Sequence, residues 1–290
     1  MTKKYQITDL TVARREHVTT WKKDSKYYFD QSYYNWMAEP LEGKRNILEI
    51  GCGAGYSTLA LLDLGHCVIS VDENRFFLNE AKNLLKIGKK FTTDILYRER
   101  VTPLLEKYSI SYEKILLSDS EIPPAKNNSL FIEGDIVNDE NLLTWLQNIT
   151  FDGIVCWLLG THNNRSLNTY YEDKGEDFQN PSIAFSKNRE TIQLTLLKIS
   201  SKIIPRNSII NFVERAKFDF SLFTEDQIKV YIGELYNPLL SQLSALGFTL
   251  GNIRLKKYEQ GPEMTPLGRS SGSISTQASP CFYSIDLIKT

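Results

Sequence analysis

Apolar residues recur along this chain in two alternating rhythms. Short, nearly solid runs at 46–50 (NILEI), 66–71 (HCVISV), 129–132 (SLFI), 151–159 (FDGIVCWLL) and 208–213 (SIINFV) have the length and composition of buried strands. Between them, apolar positions return every three to four residues, the period of a helix with one buried face. These segments are YSTLALLDL after residue 55, then 74–87, NDENLLTWLQNI, 190–204 and 226–246. Gly65, Gly88 and Gly247 each stand just past a helical run, where a left-handed residue ends a helix. Two further strands, FTLGNIRLKKYE and CFYSIDLI, close the chain across a Gly/Ser/Pro-rich connection over 261–280. Alternating strands and helices predict a parallel sheet with crossover helices on both faces.

The rhythm breaks in three places. Residues 89–128 are too long for a simple link and predict an inserted segment, with a helix around ILYRERVTPLLEKY. Residues 160–186 are long and polar, the composition of a loop that is either unstructured or a functional lid. Ahead of the first strand, polar turns lead into KKDSKYYFDQSYYNWMAEPL, an aromatic run closed by Pro40, which predicts one or two short helices. The expected organisation is a helical cap over 1–45 and one domain over 46–290 carrying both insertions. The aromatic run reads equally as packing or as a lid or cage over a ligand, with Tyr28 in its wall.

Composition narrows the function classes. Lys plus Arg is 34 and Asp plus Glu is 35, so the basic surplus of a duplex-gripping protein is missing. Cys52, Cys67, Cys156 and Cys281 form no C-x-x-C pair and read as buried apolar side chains rather than a metal site or disulfide framework. Free thiols, no secretory leader and no apolar stretch of spanning length give the expectation of a cytoplasmic protein without a membrane partner. Oligomeric state is left open.

The densest chemistry lies at Leu48-Glu49-Ile50-Gly51-Cys52-Gly53-Ala54-Gly55, between a predicted strand and a predicted helix. Glycines there turn the backbone sharply and let a ligand approach it, while the next helix offers free N–H groups. Asp72 ends the second strand, where a carboxylate can accept from both hydroxyls of a ribose. Tyr56 replaces the third glycine of the dinucleotide fingerprint, and Glu49 beside the turn would repel a pyrophosphate.

On these residues the chain resembles the class I S-adenosylmethionine (SAM)-dependent methyltransferases, over 46–213 in order and more weakly in the last two strands. The resemblance implies an α/β, Rossmann-like sheet of seven strands, mostly parallel, with an antiparallel last strand inserted beside the fifth. It implies that Gly51, Cys52, Gly53 and Gly55 form the floor of the cofactor site and that Glu49 orients the amino-acid end through water. Asp72 would hold the ribose, with Glu73 and Asn74 beside the adenine. In Gly134-Asp135-Ile136, Asp135 would accept from the adenine amino group and Ile136 would stack on its ring. The backbone of Cys156-Trp157-Leu158 would face the sulfonium.

The implied reaction is methyl transfer to an O or N atom of a small molecule, leaving S-adenosylhomocysteine (SAH). An RNA or protein methyltransferase and a non-catalytic SAM-binding protein are the alternatives. Trp157-Leu158-Leu159-Gly160-Thr161-His162 stands where amino-methyltransferases of DNA carry [N/D/S]-P-P-[Y/F], and Pro280-Cys281 lies too far along for cytosine C5 attack, so nucleic acid is disfavoured. His162 is the candidate base at the sheet's C-terminal rim, against a loop histidine that caps backbone. Tyr170 and Tyr171 are candidate pocket walls, against simple loop packing.

Overall fold

The computed structural model describes residues 7–87, 92–103, 108–117, 128–160, 181–259, 261 and 278–290. His162, Tyr170 and Tyr171 lie outside the described residues, as does most of the expected lid.

Two helices precede the sheet, α1 (Ile7–Asp30) and α2 (Tyr33–Ala38). From residue 7 on, the polar turns expected near the start are therefore part of a helix of 24 residues. The core begins with β1 (Asn46–Ile50), α3 (Tyr56–Asp63), β2 (Cys67–Asp72) and α4 (Arg75–Ile87). The inserted segment contributes β3 (Thr92–Leu96) and a hairpin of β4 (Glu99–Pro103) and β5 (Tyr108–Tyr112). Alternation resumes with β6 (Asn128–Glu133), α5 (Glu140–Leu146), β7 (Gly153–Trp157), α6 (Pro181–Ile203) and β8 (Ile209–Phe218). The chain ends with α7 (Glu225–Leu235), α8 (Asn237–Leu240), β9 (Phe248–Lys257) and β10 (Ser279–Lys289).

The main sheet has eight strands, in the order β3-β6-β2-β1-β7-β8-β10-β9. The seven strands expected from the sequence are all present, and β3 is added at the edge beyond β6. The expected antiparallel insertion holds: β10 lies between β8 and β9 and is antiparallel to both. Over its described residues, the helix expected around residues 95–108 is replaced by strands. Thr92, Thr93 and Ile95 are β-branched and suit a strand, and the open edge of β6 supplies a parallel ladder for them. Pro103, which lacks an N–H and disfavours helix at the residue before it, ends β4 instead. The single helix expected over 226–246 is likewise broken, with Pro238 in the first turn of α8.

Two apolar clusters fill the two faces of the sheet. One includes Leu48, Ile154, Phe212 and Ile285 with residues of α5, α6 and α7. The other gathers Ile47, Val155 and Phe282 with residues of α1 to α4. Strand order reverses at β1, which pairs with β2 on one side and β7 on the other. Open α/β sheets bind ligands in the crevice beyond the strand ends at this reversal.

Candidate functional site

A cleft opens there. Its floor is Ile50, Gly51 and Gly53 from the turn after β1, and its β2 side carries Val71, Asp72, Glu73 and Asn74. Gly134, Asp135 and Ile136 line the β6 side, and Leu158, Leu159 and Gly160 line the β7 side. Asn188 and Ile192 of α6 contribute a further wall. Nine of the residues given a site role from the sequence thus converge on one cavity: Gly51, Gly53, Asp72, Glu73, Asn74, Gly134, Asp135, Ile136 and Leu158.

Gly51, Gly53 and Gly55 have φ of 79°, 51° and 86°, in the left-handed region that L side chains rarely adopt. Their spatial demands differ. A Cβ on Gly55 would lie 2.6 Å from the Cβ of Ala81 in α4, so this glycine serves helix packing. A Cβ on Gly53 would lie 2.6 Å from Nε1 of Trp21, on the cleft side.

Asp72 is held in place by backbone. Its Oδ2 accepts from Gly53 N–H at 3.0 Å and its Oδ1 from Asn74 N–H at 2.9 Å. The Cys52 thiol also donates weakly to Oδ2, at 3.9 Å, while Oδ1 keeps a second lone pair and can accept a further hydrogen bond. Burial, with the Glu73 charge adding to it, pushes the Asp72 carboxyl up to about 7 against the two backbone N–H groups and Arg14, which favour the anion. Asp135 accepts from Val137 N–H at 2.9 Å and from Asn138 Nδ2 at 2.8 Å.

The remaining described candidates do not line the cleft. The Glu49 carboxylate is buried beneath the turn, where it accepts from the hydroxyls of Ser57, Thr58 and Ser70. Its carboxyl is raised by burial, against those three hydrogen bonds. Cys52 and Cys156 are buried, and burial pushes both thiols up. All four cysteines are free and buried. Trp157 donates through Nε1 to Asn211 within the sheet. Tyr28 is fully buried among Trp21, Tyr33, Tyr258 and Phe282, and its hydroxyl accepts from Arg215 at 3.1 Å.

Sequence reasoning missed the residues that α1 brings to the site. His17 and Trp21 line the cleft from above. Arg14, one turn earlier, is buried and donates to Glu73 at 2.8 Å and to Glu99 of β4 at 2.6 Å. The signal was available: Leu10, Arg14, His17, Trp21 and Tyr28 recur at helical spacing on one face. Polar members of that stripe hid it. Leu158, whose backbone the resemblance puts at the sulfonium, has a conformation that the sequence did not signal. It leaves β7 with φ 54°, a strained value for leucine, and turns the chain into the cleft wall.

The insertion braces the same rim. Glu133, fully buried, accepts from Arg75 Nε at 2.8 Å and from the backbone N–H groups of Arg98 and Glu99. Arg98 in turn grips both oxygens of Asp139, at 2.6 and 3.2 Å. Among the described residues no helix is long and apolar enough to cross a membrane, and no group of acidic, Cys or His residues could hold a metal ion.

No family model matches the sequence and no curated protein matches it. Solved structures do. TrmN from Thermus thermophilus is similar with a TM-score of 0.45 and 12% identity, over 89% of this chain and 48% of its own. This chain therefore spans about half the length of TrmN. Magnesium protoporphyrin IX methyltransferase from Synechocystis PCC 6803, solved with SAH bound, gives 0.40 and 11%, over 90% and 81%. The N-methyltransferase NodS from Bradyrhizobium japonicum WM9, also solved with SAH, gives 0.42 and 14%, over 89% and 87%.

Proposed function

We propose that this protein is a SAM-dependent methyltransferase that transfers a methyl group to an O or N atom of a small molecule. One observation carries the cofactor assignment. The cleft presents Asp72, Glu73 and Asp135 beside a glycine-rich turn and, among its described lining residues, no lysine or arginine. Such a lining disfavours the phosphates of a dinucleotide and favours a ligand bearing a sulfonium and an ammonium group.

The residues present fit that ligand. The free lone pair on Asp72 Oδ1, with Oδ2 held only weakly by the Cys52 thiol, suits the hydroxyls of a ribose, and the backbone of Gly51 and Gly53 admits a ligand that a side chain would exclude. Glu73, Asn74, Asp135 and Ile136 lie together on the side assigned to the adenine. Glu49 acts from below the turn, through the residues it holds in place. When bound, the cofactor supplies an electrophilic methyl carbon. The chain's part is then to bind, align and keep out water, which suffices for much of the rate of an in-line displacement. The roof formed by α1 favours an acceptor small enough to be enclosed.

Calorimetric titration with SAM, SAH and NAD tests the assignment. Binding of SAM and SAH without NAD is the expected result. NAD binding with no response to SAM or SAH overturns it.

A further inference from the structure

We propose that Glu214 of β8 recognises the methyl acceptor, its unpartnered oxygen accepting a hydrogen bond from a hydroxyl or amino group that the acceptor carries. The inference rests on the methyltransferase reading above and adds to it a named acceptor-binding residue.

Three observations support it. First, Glu214 is a buried carboxylate with one oxygen unused. Its side chain is 5% exposed. Oε2 meets Arg189 of α6 at 3.2 Å, while Oε1 has no hydrogen-bond partner in the protein. Nε of Arg189 is likewise buried without a partner. A buried carboxylate oxygen without a donor is costly, so its presence calls for a partner from outside the chain.

Second, Glu214 stands on the side of the cleft that the nucleoside leaves open. Val213, the residue before it, accepts from Leu158 N–H at 2.7 Å, so Glu214 is level with the chain that leaves β7 into the cleft wall. On α6, Asn188 and Ile192 line the cleft, and Arg189 and Gln193 directly follow them in sequence. The residues assigned to ribose and adenine come from β2 and β6, on the other side of β1.

Third, Glu214 has polar company on a face that is otherwise apolar. Phe212 and Phe218, two residues before it and four after, pack in the apolar cluster of that face. Tyr283 of β10 lies opposite Glu214. The Tyr283 hydroxyl is 3.3 Å from that of Tyr236, which accepts from Gln193 Nε2 at 3.4 Å. Burial, with the charge of Glu214 adding to it, raises both phenols, so both stay neutral.

The ligand chemistry follows from the free atom. A carboxylate paired with an arginine accepts and does not donate, so its partner must bring an N–H or O–H. Burial raises the Glu214 carboxyl against Arg189 and Arg215, and a donor on Oε1 would favour the anion again. A pocket with one such fixed polar group tells acceptors with a donor from apolar analogues of the same shape.

The test uses isopropanol and acetone, which are alike in size and differ in the O–H that only isopropanol can give. Each is titrated into protein isotope-labelled at the glutamate carboxyl carbons, with and without SAH, and followed by NMR. Glu214→Gln identifies the Glu214 resonance by its loss; if that variant does not fold, Tyr283→Phe identifies it by its shift. The Glu214 resonance is expected to move saturably with isopropanol, at a half-saturating concentration at least about tenfold below that for acetone. A resonance that ignores both probes, as a permanently bound water would leave it, or that follows both equally, overturns the proposal. Calorimetry with SAH is run on the same sample. Absence of SAH binding overturns the cofactor assignment, while the titration without SAH still decides on Glu214 by itself.

Discussion

Asp72 joins the two functions a site residue can have, since it orders the turn and faces the ligand. Its folded-state carboxyl is raised from 3.8 to about 7, so the folded protein holds a proton that the unfolded chain has already lost. This residue's contribution to stability is therefore fully present below pH 3.8 and is lost as pH rises through about 7. Relative to Asp72→Asn, the wild type should lose about 3 kcal/mol between pH 5 and 8, read from urea melts. A ribose diol donates to the anion, so SAH affinity of the wild type should rise from pH 6 to 8. In Asp72→Asn it should be weaker and nearly flat; equal affinity and equal pH dependence would mean that the ribose does not contact this residue. Gly53 presents the second residue-scale case. Gly53→Ala places a methyl 2.6 Å from the Trp21 indole nitrogen and forces alanine to φ 51°. The expected cost is about 2–4 kcal/mol, falling to about 1–2 kcal/mol in a Trp21→Ala background, where only the left-handed strain remains. Equal costs in both backgrounds would show that Trp21 yields freely.

At the scale of elements, the docking of α1 decides whether the cleft has a roof. Its central polar anchor is Arg14, whose partner Glu99 is only 1% exposed in its side chain. Removing the guanidinium takes from buried Glu99 and partly buried Glu73 the ion-pair partner they share, with Arg75 the remaining nearby positive charge on Glu99. Arg14→Ala should therefore destabilise by about 3–5 kcal/mol, well above the worth of a surface pair. Hydrogen exchange should show α1 amides losing protection first while β1 and β7 keep theirs; an evenly spread loss would mean that α1 and the sheet open as one unit. The element boundaries divide by how local their causes are. The start of α7 is legible from Thr224 and Gln227, which form a capping box, and Gly247 ends the following 3-10 turn in the left-handed region. The strand β3 was not legible, because its residues gain their ladder only from the exposed edge of β6.

For the whole molecule, the sheet is one body packed on both faces, with β1 and β7 at its centre and β8 beside them. Phe212 is 1% exposed and packs in the cluster beneath α6 and α7. Phe212→Ala should cost about 3–5 kcal/mol with an unchanged denaturant slope, and fluorescence and circular dichroism should report the same midpoint. Separate midpoints would show that the two faces unfold independently. The sequence by itself determined the alternation of strands and helices, the glycine turn, and the acidic positions Asp72 and Asp135 at strand ends. These are set by hydrophobic period, by φ > 0 at glycine and by the free ends of strands, all of which act within a few residues. Tertiary structure alone decided that Glu49 lies under the turn, tied to Ser57, Thr58 and Ser70, and that Tyr28 is core rather than pocket wall. It also decided that Arg14, His17 and Trp21 reach the cleft from a helix that precedes the sheet by many residues. A polar residue on a helix carries no local mark of its use: its partner is chosen when distant segments pack, because only then are charges desolvated and only then must each be matched.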